Sequence, residues 1–536
     1  EARVVSRLEA WSRLRPEYDL LVVGGGITGA GIALEAARAG ASVLLVEQGD
    51  FASGTSSRSS KLVHGGLRYL AEGNLRLTWE SVRERDRLLE EAPGLVEKIG
   101  FLFASRRGDR PGRAAIGTGL LVYDLLAREG HHARLTGEEL LLRAPHLGER
   151  GLTGGFAYGD AFTDDARLVL RVLFEAEAAG ACALNYVRCR GLLRSRGNVA
   201  GAVLGDLVSG DERAVRASAV VNATGAWADR LRADVGGTPR IRPLRGSHLL
   251  FPAWRFPAAQ ALTFRHPRDG RPLFAYPWER LTLLGTTDLD HPGPLDEEPS
   301  IGVSEAAYLL EGAASTFPSL ALSPRDAVSS FSGVRPVIGT GKEKPSEESR
   351  EHALWLESGL LTVTGGKLTT FRLIALDALR LLRRRLPVLS RLGADARVFR
   401  PAARALRRAP GLDAAEARRL AGRYGSAADG LVDAARPGEL ETMPGTPYLW
   451  AELRWAARAE QVVHLDDLLL RRIRPGLLLP DGGASLLSRV GEVCREELAW
   501  DDDRWSMEVQ EYLARWRANY AAPVAAPSEA AQPSCA

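Results

Sequence analysis

Long apolar runs are missing from this chain. Its longest stretch without a charged residue, Leu20 to Leu34, is 15 residues and holds five glycines, short of the roughly 20 mostly apolar residues that a membrane-spanning helix needs. The opening Glu1-Ala-Arg-Val-Val is followed by mixed charge where a secretory signal would place an apolar segment, so no such signal is expected. Cysteine is scarce. Cys182, Cys189, Cys494 and Cys535 are far apart or lack metal-ligand spacing, which excludes a disulfide scaffold or zinc module and points to free thiols in a reducing cytosol. His131-His132, His291 and His352 also lack ligand spacing with Cys or acids, and no metal site is expected. A dominant charge sign is absent too: 70 Lys+Arg against 67 Asp+Glu leave +3, so no nucleic acid or other polyanion partner is implied. Lysine is rare among the cations, 5 of the 70, at Lys61, Lys98, Lys342, Lys344 and Lys367. Each marks a place where a compact, titratable ammonium can matter in a way that a guanidinium does not reproduce.

What is present is the balance of a globular protein, 536 residues with 45% hydrophobic and 26% charged, enough for two or three domains. Residues 1 to 17 read as a short polar helix or arm. Tyr18-Asp-Leu-Leu-Val-Val23 predicts a buried parallel strand that runs straight into Gly24-Gly-Gly26. Ile27 to Ala39 carries apolar residues at helical spacing and stops at Gly40, and Ser42 to Val46 is a second buried strand ending on Glu47, which completes a βαβ unit. A glycine and serine segment, Ser53 to Tyr69, precedes a charged helix from about Asn74 to Glu91. Thr163-Asp-Asp opens another helix with a cap residue and acids in its first turn, ending at Gly180. Cys182 to Gly225 reads as short strands broken by Arg196-Gly-Asn and Ser209-Gly-Asp turns, and about 235–345 as an antiparallel sheet. Beyond about residue 388 the pattern is helical to about 520, and 521–536 is a low-complexity tail expected to be disordered.

Gly24-x-Gly26-x-x-Gly29 lies after a predicted strand and opens a predicted helix, with Glu47 placed 23 residues after Gly24. Glycines there let the backbone approach a pyrophosphate at the positive helix end, and a carboxylate closing the second strand accepts from ribose hydroxyls. A dinucleotide is therefore expected. FAD and NAD share this fingerprint, and two features favour FAD. The strand that ends in Asn222-Ala-Thr-Gly225 brings a second glycine turn to the same cofactor, and Ser53 to Gly66 lies where a chain would run along the pyrophosphate and flavin ring. No second GxGxxG is present for a nicotinamide nucleotide.

Gly24-Gly-Gly-Ile-Thr-Gly-Ala-Gly31, Thr55-Ser-Ser-Arg-Ser-Ser-Lys-Leu-Val-His-Gly-Gly-Leu-Arg-Tyr-Leu70, Gly285-Thr-Thr-Asp288, Ser332-Gly-Val-Arg-Pro336 and Gly365-Gly-Lys-Leu-Thr-Thr370 together resemble the FAD-dependent glycerol-3-phosphate dehydrogenases, over about residues 18–520. The resemblance implies an α/β fold: a glutathione-reductase-like, Rossmann-type FAD domain interleaved with an antiparallel substrate-binding sheet and capped by an α-helical C-terminal domain. The corresponding ranges are 1–387, with the substrate part at roughly 92–160 and 235–345, then 388–520. It also implies oxidation of sn-glycerol 3-phosphate to dihydroxyacetone phosphate, electron transfer to a membrane quinone, and a cytoplasmic protein peripheral on the inner face of the cell membrane. A homodimer is left open. Cofactor contacts are implied at Gly24, Gly26, Gly29, Glu47, Ser57, Ser60, Lys61, His64, Gly65, Gly66, Val187, Thr224, Gly225, Gly366, Lys367, Leu368 and Thr369. Substrate contacts are implied at Arg68, Tyr69, Arg335, Arg350 and His248.

The chemistry of these residue types agrees. A phosphate dianion in a dry pocket needs fixed cationic donors, for which arginine is best shaped. Lys367, after the apolar strand Leu360 to Thr364 and before a helix near Thr369, is suited to stabilise negative charge on the reduced cofactor or the substrate oxygen. Oxidising a secondary alcohol also needs a base for the hydroxyl proton. His64 and His248 are the candidates by type, His248 with a structural alternative in holding the sheet by hydrogen bonds, whereas Arg335 can only stabilise the alkoxide. Other readings stand beside this one: an amine, amino-acid or glycerophosphate oxidase using oxygen, or a flavin-binding module without catalysis. Leu379 to Leu386 and Leu468 to Leu479 are apolar and basic, a pattern shared by membrane contacts and by packed helices with solvated arginines.

Overall fold

The computed structural model describes residues 7–523 except 68–69, 71–72, 110–111, 128–131, 344–347, 349–350, 394–395, 402–405 and 407–410. Leu20, Leu21 and Val22 show no alternation because both of their sheet faces are covered. Strand Glu17–Val23 pairs in parallel with Val43–Val46 on one side and Glu212–Asn222 on the other, so Val23 stands between Val46 and Asn222. The sheet order is His352–Glu357, Leu360–Gly365, Glu212–Asn222, Glu17–Val23, Val43–Val46, Cys182–Leu184, parallel except for the first pair. Helices Ile27–Arg38, Asp165–Ala178 and Phe371–Leu382 cover one face, sharing a core through Ala33, Val169 and Ile374. The hairpin of Val187–Ser195 and Asn198–Asp206 covers the other with Val199 and Leu204.

A second, ten-stranded sheet joins Val96–Arg106 and Leu152–Thr163 to Ile241–Pro252, Ala261–Arg265, Pro272–Trp278, Leu281–Gly285 and Ser329–Ile338. It is not antiparallel throughout: Ala261–Arg265 runs parallel to Val96–Arg106, with Ala261 beside Phe101. That pair joins stretches distant in sequence, so no hairpin turn dictates its direction. The C-terminal helices from Trp450–Ala459 to Asp502–Asn519 seat their apolar side on this sheet, while Ala414–Tyr424 packs in a smaller cluster with Leu431 and Leu449. Leu453, Leu469, Tyr512 and Trp516 share a core with Leu250, Tyr276, Trp278 and Phe331. The architecture is the expected α/β fold with an interleaved second sheet and a helical C-terminal part.

Leu379, Leu382, Leu386, Leu468, Leu469 and Leu470 are buried, so the leucines of both stretches are packed in the core, except Leu381, which is exposed among the arginines of the first. The arginines of the first stretch, Arg380 and Arg383 to Arg385, are exposed, but those of the second are not solvated. Arg471, Arg472 and Arg474 are buried against Asp50, Asp164, Asp165, Asp466 and Asp467, since a buried guanidinium requires carboxylate partners. The helix expected from Thr163 is capped by Asp164, which accepts from Arg167 N at 3.2 Å, while Thr163 ends the preceding strand. Residues 524–536 of the expected tail lie outside the described residues. Its first residue is anchored: the Ala521 carbonyl accepts from Ser330 Oγ at 3.0 Å, and the Tyr520 carbonyl accepts from the Ser330 amide at 2.7 Å. Cys182, Cys189 and Cys494 are free thiols, and Cys535 lies outside the described residues.

Candidate active site

The glycine fingerprint sits where the two central strands end. Gly24 has φ +119°, and a Cβ there would overlap the Ala223 carbonyl, so the turn after Asn222 packs directly on the first glycine. Gly26 precedes the Ile27–Arg38 helix in extended conformation without a capping side chain, and Ile27 N donates to Ser56 Oγ at 3.0 Å. A Cβ at Gly26 would crowd Ser56 Oγ at 3.0 Å, the same hydroxyl that accepts from the Ile27 amide. Gly29 packs its bare Cα on the Gly24 carbonyl. Both oxygens of Glu47 are fixed by amides, Gly25 N at 2.7 Å and Gly49 N at 2.9 Å, and retain lone pairs for hydroxyl donors. Burial pushes the Glu47 carboxyl up, against the two amides that pull it down. Val187 N donates to the Glu47 carbonyl at 2.7 Å, and Thr224 Oγ1 donates to Asn222 Oδ1 at 2.6 Å beside Gly225. A glycine turn ahead of the helix, an oriented carboxylate and a second glycine turn fit a dinucleotide.

The serine-rich loop packs between this region and the second sheet. Thr55 Oγ1 donates to the Val334 carbonyl, Ser60 Oγ pairs with His248 Nε2 at 2.9 Å, and the Tyr276 hydroxyl donates to the Ser60 carbonyl. The Lys61 side chain turns inward: its ammonium donates to the Ser57 carbonyl at 3.1 Å and Asp165 Oδ1 at 3.0 Å, over the rings of Phe331 and Trp278. Burial, then Arg474, bring its pKa down to about 8. Only the Lys61 backbone is therefore offered to a cofactor. Gly65 N donates to Asp160 Oδ1 at 3.0 Å, and burial raises Asp160 to about 6. The His64 carbonyl accepts from Thr369 Oγ1 at 3.5 Å, which brings His64, Gly65 and Gly66 to the Lys367 turn. That turn is made by two consecutive left-handed glycines, Gly365 at φ +75° and Gly366 at +79°, placing Lys367 and Leu368 just ahead of the Phe371–Leu382 helix.

Arg335 and His248 share one face of paired strands. Arg335 stands opposite Leu244 and His248 opposite Phe331, with Gly246 and Gly333 paired between them. Arg335 donates to Asp288 Oδ1 at 2.7 Å and to Thr286 Oγ1 at 3.1 Å; Asp288 is buried and also pairs with Arg271 at 3.1 Å. His248 stacks on Phe331 at 4.6 Å, and its hydrogen bond runs to the loop at Ser60, not along the sheet. Burial, then Arg335 and Lys61, hold its imidazole well below the usual 6.5, so it is neutral at physiological pH. Arg68, Tyr69 and Arg350 lie outside the described residues. Asp288, Asp160 and Asp165 were not singled out by sequence. Asp288 had a usable signal, because it closes the Gly285-Thr-Thr-Asp288 segment, whereas Asp165 read only as a first-turn helix acid and Asp160 as an ordinary charge.

Residues 19–372 match the family model described as FAD dependent oxidoreductase, and 389–505 match the C-terminal domain of alpha-glycerophosphate oxidase. An aerobic glycerol-3-phosphate dehydrogenase of Staphylococcus haemolyticus is 35% identical over 482 residues, 85% of this chain and 86% of that one. The chain belongs to the aerobic glycerol-3-phosphate dehydrogenase family. A Bacillus subtilis member is 40% identical over 375 residues, 69% of this chain and 67% of its own. The crystal structure of a Bacillus halodurans glycerol-3-phosphate dehydrogenase with FAD superposes with TM-score 0.75 at 30% identity, covering 96% of this chain and 98% of that one. Glycine oxidase from Geobacillus kaustophilus, at 24% identity and TM-score 0.52, shares the fold alone. The chain is thus an FAD-dependent oxidoreductase of the glycerol-3-phosphate dehydrogenase family, and Gly24, Gly26, Gly29 and Glu47 have the geometry that this cofactor requires.

Proposed function

We propose that this chain oxidises sn-glycerol 3-phosphate at C2 to dihydroxyacetone phosphate and passes the electrons to a membrane quinone. The observation that carries the reading is the pairing of a fixed guanidinium, Arg335 on Asp288, with a neutral imidazole, His248, on one sheet face in a chain of this family. FAD, when bound, supplies the two-electron acceptor for the C2 hydride. The hydroxyl proton has to leave as the hydride does, and His64 and His248 are the candidate bases; at His248, burial and the charges of Arg335 and Lys61 oppose the protonated form. Arg335, oriented by Asp288 and Thr286, stabilises the anionic oxygen or phosphate, and Lys367 adds positive charge at the helix N-terminal turn. Arg68, Tyr69 and Arg350 complete the proposed substrate contacts. Anaerobic addition of glycerol 3-phosphate should bleach the flavin's visible absorbance; bleaching by amino acids but not by this substrate would overturn the reading.

Attachment to the inner face of the cell membrane is part of the proposal, on support different from the stretches first considered. Among the described residues no helix is long and apolar enough to cross a membrane. Helix Arg113–Leu126 exposes Ala114, Thr118, Leu121 and Leu125 on one face, Leu125 at 78%. Helix Leu75–Glu91 exposes Leu75 and Trp79, with Arg83 stacked 4.6 Å over the Trp79 ring. Apolar residues with adjacent arginines suit an anionic lipid surface. A second reading, oxygen as acceptor, is favoured by the match of residues 389–505 to an oxidase domain. Peroxide yield per turnover, measured with and without a quinone analogue, separates the two.

A further inference from the structure

The C-terminal helices send one short segment through to the back of the cofactor site. Leu468–Arg472 is wound as a single π-helical turn, and Ile473 after it is extended, so Arg471, Arg472 and Arg474 all point inward and are almost completely buried. Arg472 grips Asp50 with both terminal nitrogens, Nη1 to Oδ2 at 2.7 Å and Nη2 to Oδ1 at 2.7 Å, while Arg471 donates to the same carboxylate and bridges it to Asp466 and Asp467. Asp50 closes the loop that begins at Glu47. Its neighbour Ala52 donates to the Gly25 carbonyl at 3.1 Å, and Asn185, two residues before Val187, donates to Asp50 Oδ1 at 3.0 Å. Arg474 donates to the Ser57 carbonyl at 3.1 Å and to Asp165 Oδ1 at 2.6 Å, and pairs with Asp164. Ser57 follows Ser56, whose hydroxyl accepts from the Ile27 amide at the helix N-terminus. Three arginines within four residues, Arg471, Arg472 and Arg474, thus tie down from behind both loops that face the dinucleotide.

Buried ion pairs add little net stability over a packed apolar alternative, but a bidentate guanidinium on a carboxylate fixes distance and orientation. Arg472, then Arg471, hold Asp50 at about 2 against the burial that would raise it, so the clamp stays charged across the physiological range. We propose that Arg472 and Arg474 are positioning residues through which the C-terminal helical region sets the FAD pocket. Arg472 acts on the Glu47 loop through Asp50, and Arg474 acts on the serine-rich loop through the Ser57 carbonyl. The inference rests on FAD being held at the glycine fingerprint.

The test is FAD affinity of the full-length chain, read by flavin fluorescence, in Arg472→Lys and Arg474→Lys. Arg454→Lys is the comparison: Arg454 is equally buried and bidentate, on Glu439, but touches neither loop. Loss of one charge-assisted hydrogen bond felt by the ligand weakens binding on the order of ten- to hundredfold. Arg472→Lys and Arg474→Lys should fall in that range and should lose part of the rise in melting temperature that FAD confers. Arg454→Lys should melt lower with its FAD affinity within about twofold of the parent, because it costs stability without touching the loops. Should Arg472→Lys not fold, Asp50→Asn, which keeps both arginines, gives the same reading. Unchanged affinity in the Arg472 or Arg474 variant, or equal weakening in the Arg454 variant, overturns the proposal. A parent chain that binds no FAD overturns the site on which it rests.

Discussion

Lys367 follows two left-handed glycines that no residue with a Cβ adopts without strain, and the turn therefore fixes its Cα just ahead of a helix N-terminus. A guanidinium at that position keeps the charge and changes its shape. Lys367→Arg should bind FAD normally and turn over about 10²–10³-fold more slowly, the usual cost of misplaced transition-state charge stabilisation. Turnover within a few-fold of the parent would make Lys367 an ordinary turn residue. His248 allows a prediction on pH. An unfolded imidazole takes its proton near 6.5, the buried one only well below that, so between the two values the unfolded chain binds more protons. Stability conferred by neutral His248 is complete above 6.5 and is lost as pH falls below it. Melting of His248→Asn beside the parent, from about pH 7.5 to about pH 5, should show the variant gaining relative to the parent as pH drops; a constant difference would mean that His248 is not held neutral by the fold. The fingerprint glycines and Glu47 were legible from sequence because their roles are local, set by spacing along one βαβ unit. Asp50 was not, because an aspartate in a loop reads as solvated until distant arginines are seen to close on it, and Asp160, on the Leu152–Thr163 strand, was missed for want of the same long-range view of Arg85.

Among the elements, the Asp165–Ala178 helix shows how one local signal hides a tertiary one. The cap signal was right in kind, but Asp164 accepts more than its helix amide: Arg423 and Arg474 both end on its carboxylate. Removing an exposed cap costs about 0.5–2 kcal/mol, whereas opening a buried pair leaves an uncompensated charge and costs about 3–5 kcal/mol. Urea unfolding should place Asp164→Ala in the larger class. Asp413→Ala, at an exposed cap that accepts from Glu416 N at 2.8 Å, belongs in the smaller one. Equal losses would show that Arg423 and Arg474 find other partners. The leucine-rich stretch Leu468 to Leu479 misled for the same reason in reverse. Its leucines fill a core and its arginines enter that core too, a combination that composition alone assigns to a surface.

Over the whole molecule, the C-terminal helices are both a cover and a brace. They shield Tyr276, Trp278 and Phe331 on the second sheet and supply the arginines behind the cofactor loops. A chain ending at residue 388 should accordingly aggregate and retain no flavin, as measured by soluble yield and visible absorbance; a soluble yellow fragment would show that the first part folds alone. The order of synthesis adds a consequence. Ser330, on the strand that carries Arg335, completes its hydrogen bonding only with Tyr520 and Ala521, and Tyr520 is 190 residues further along the chain. At about 5–20 residues per second, translation takes on the order of ten to forty seconds to make that residue. For that interval the nascent chain already holds its dinucleotide fingerprint while the aromatic floor beside Arg335 lies bare to water and to other nascent chains. The site around Arg335 is therefore finished only when the Asp502–Asn519 helix has been made.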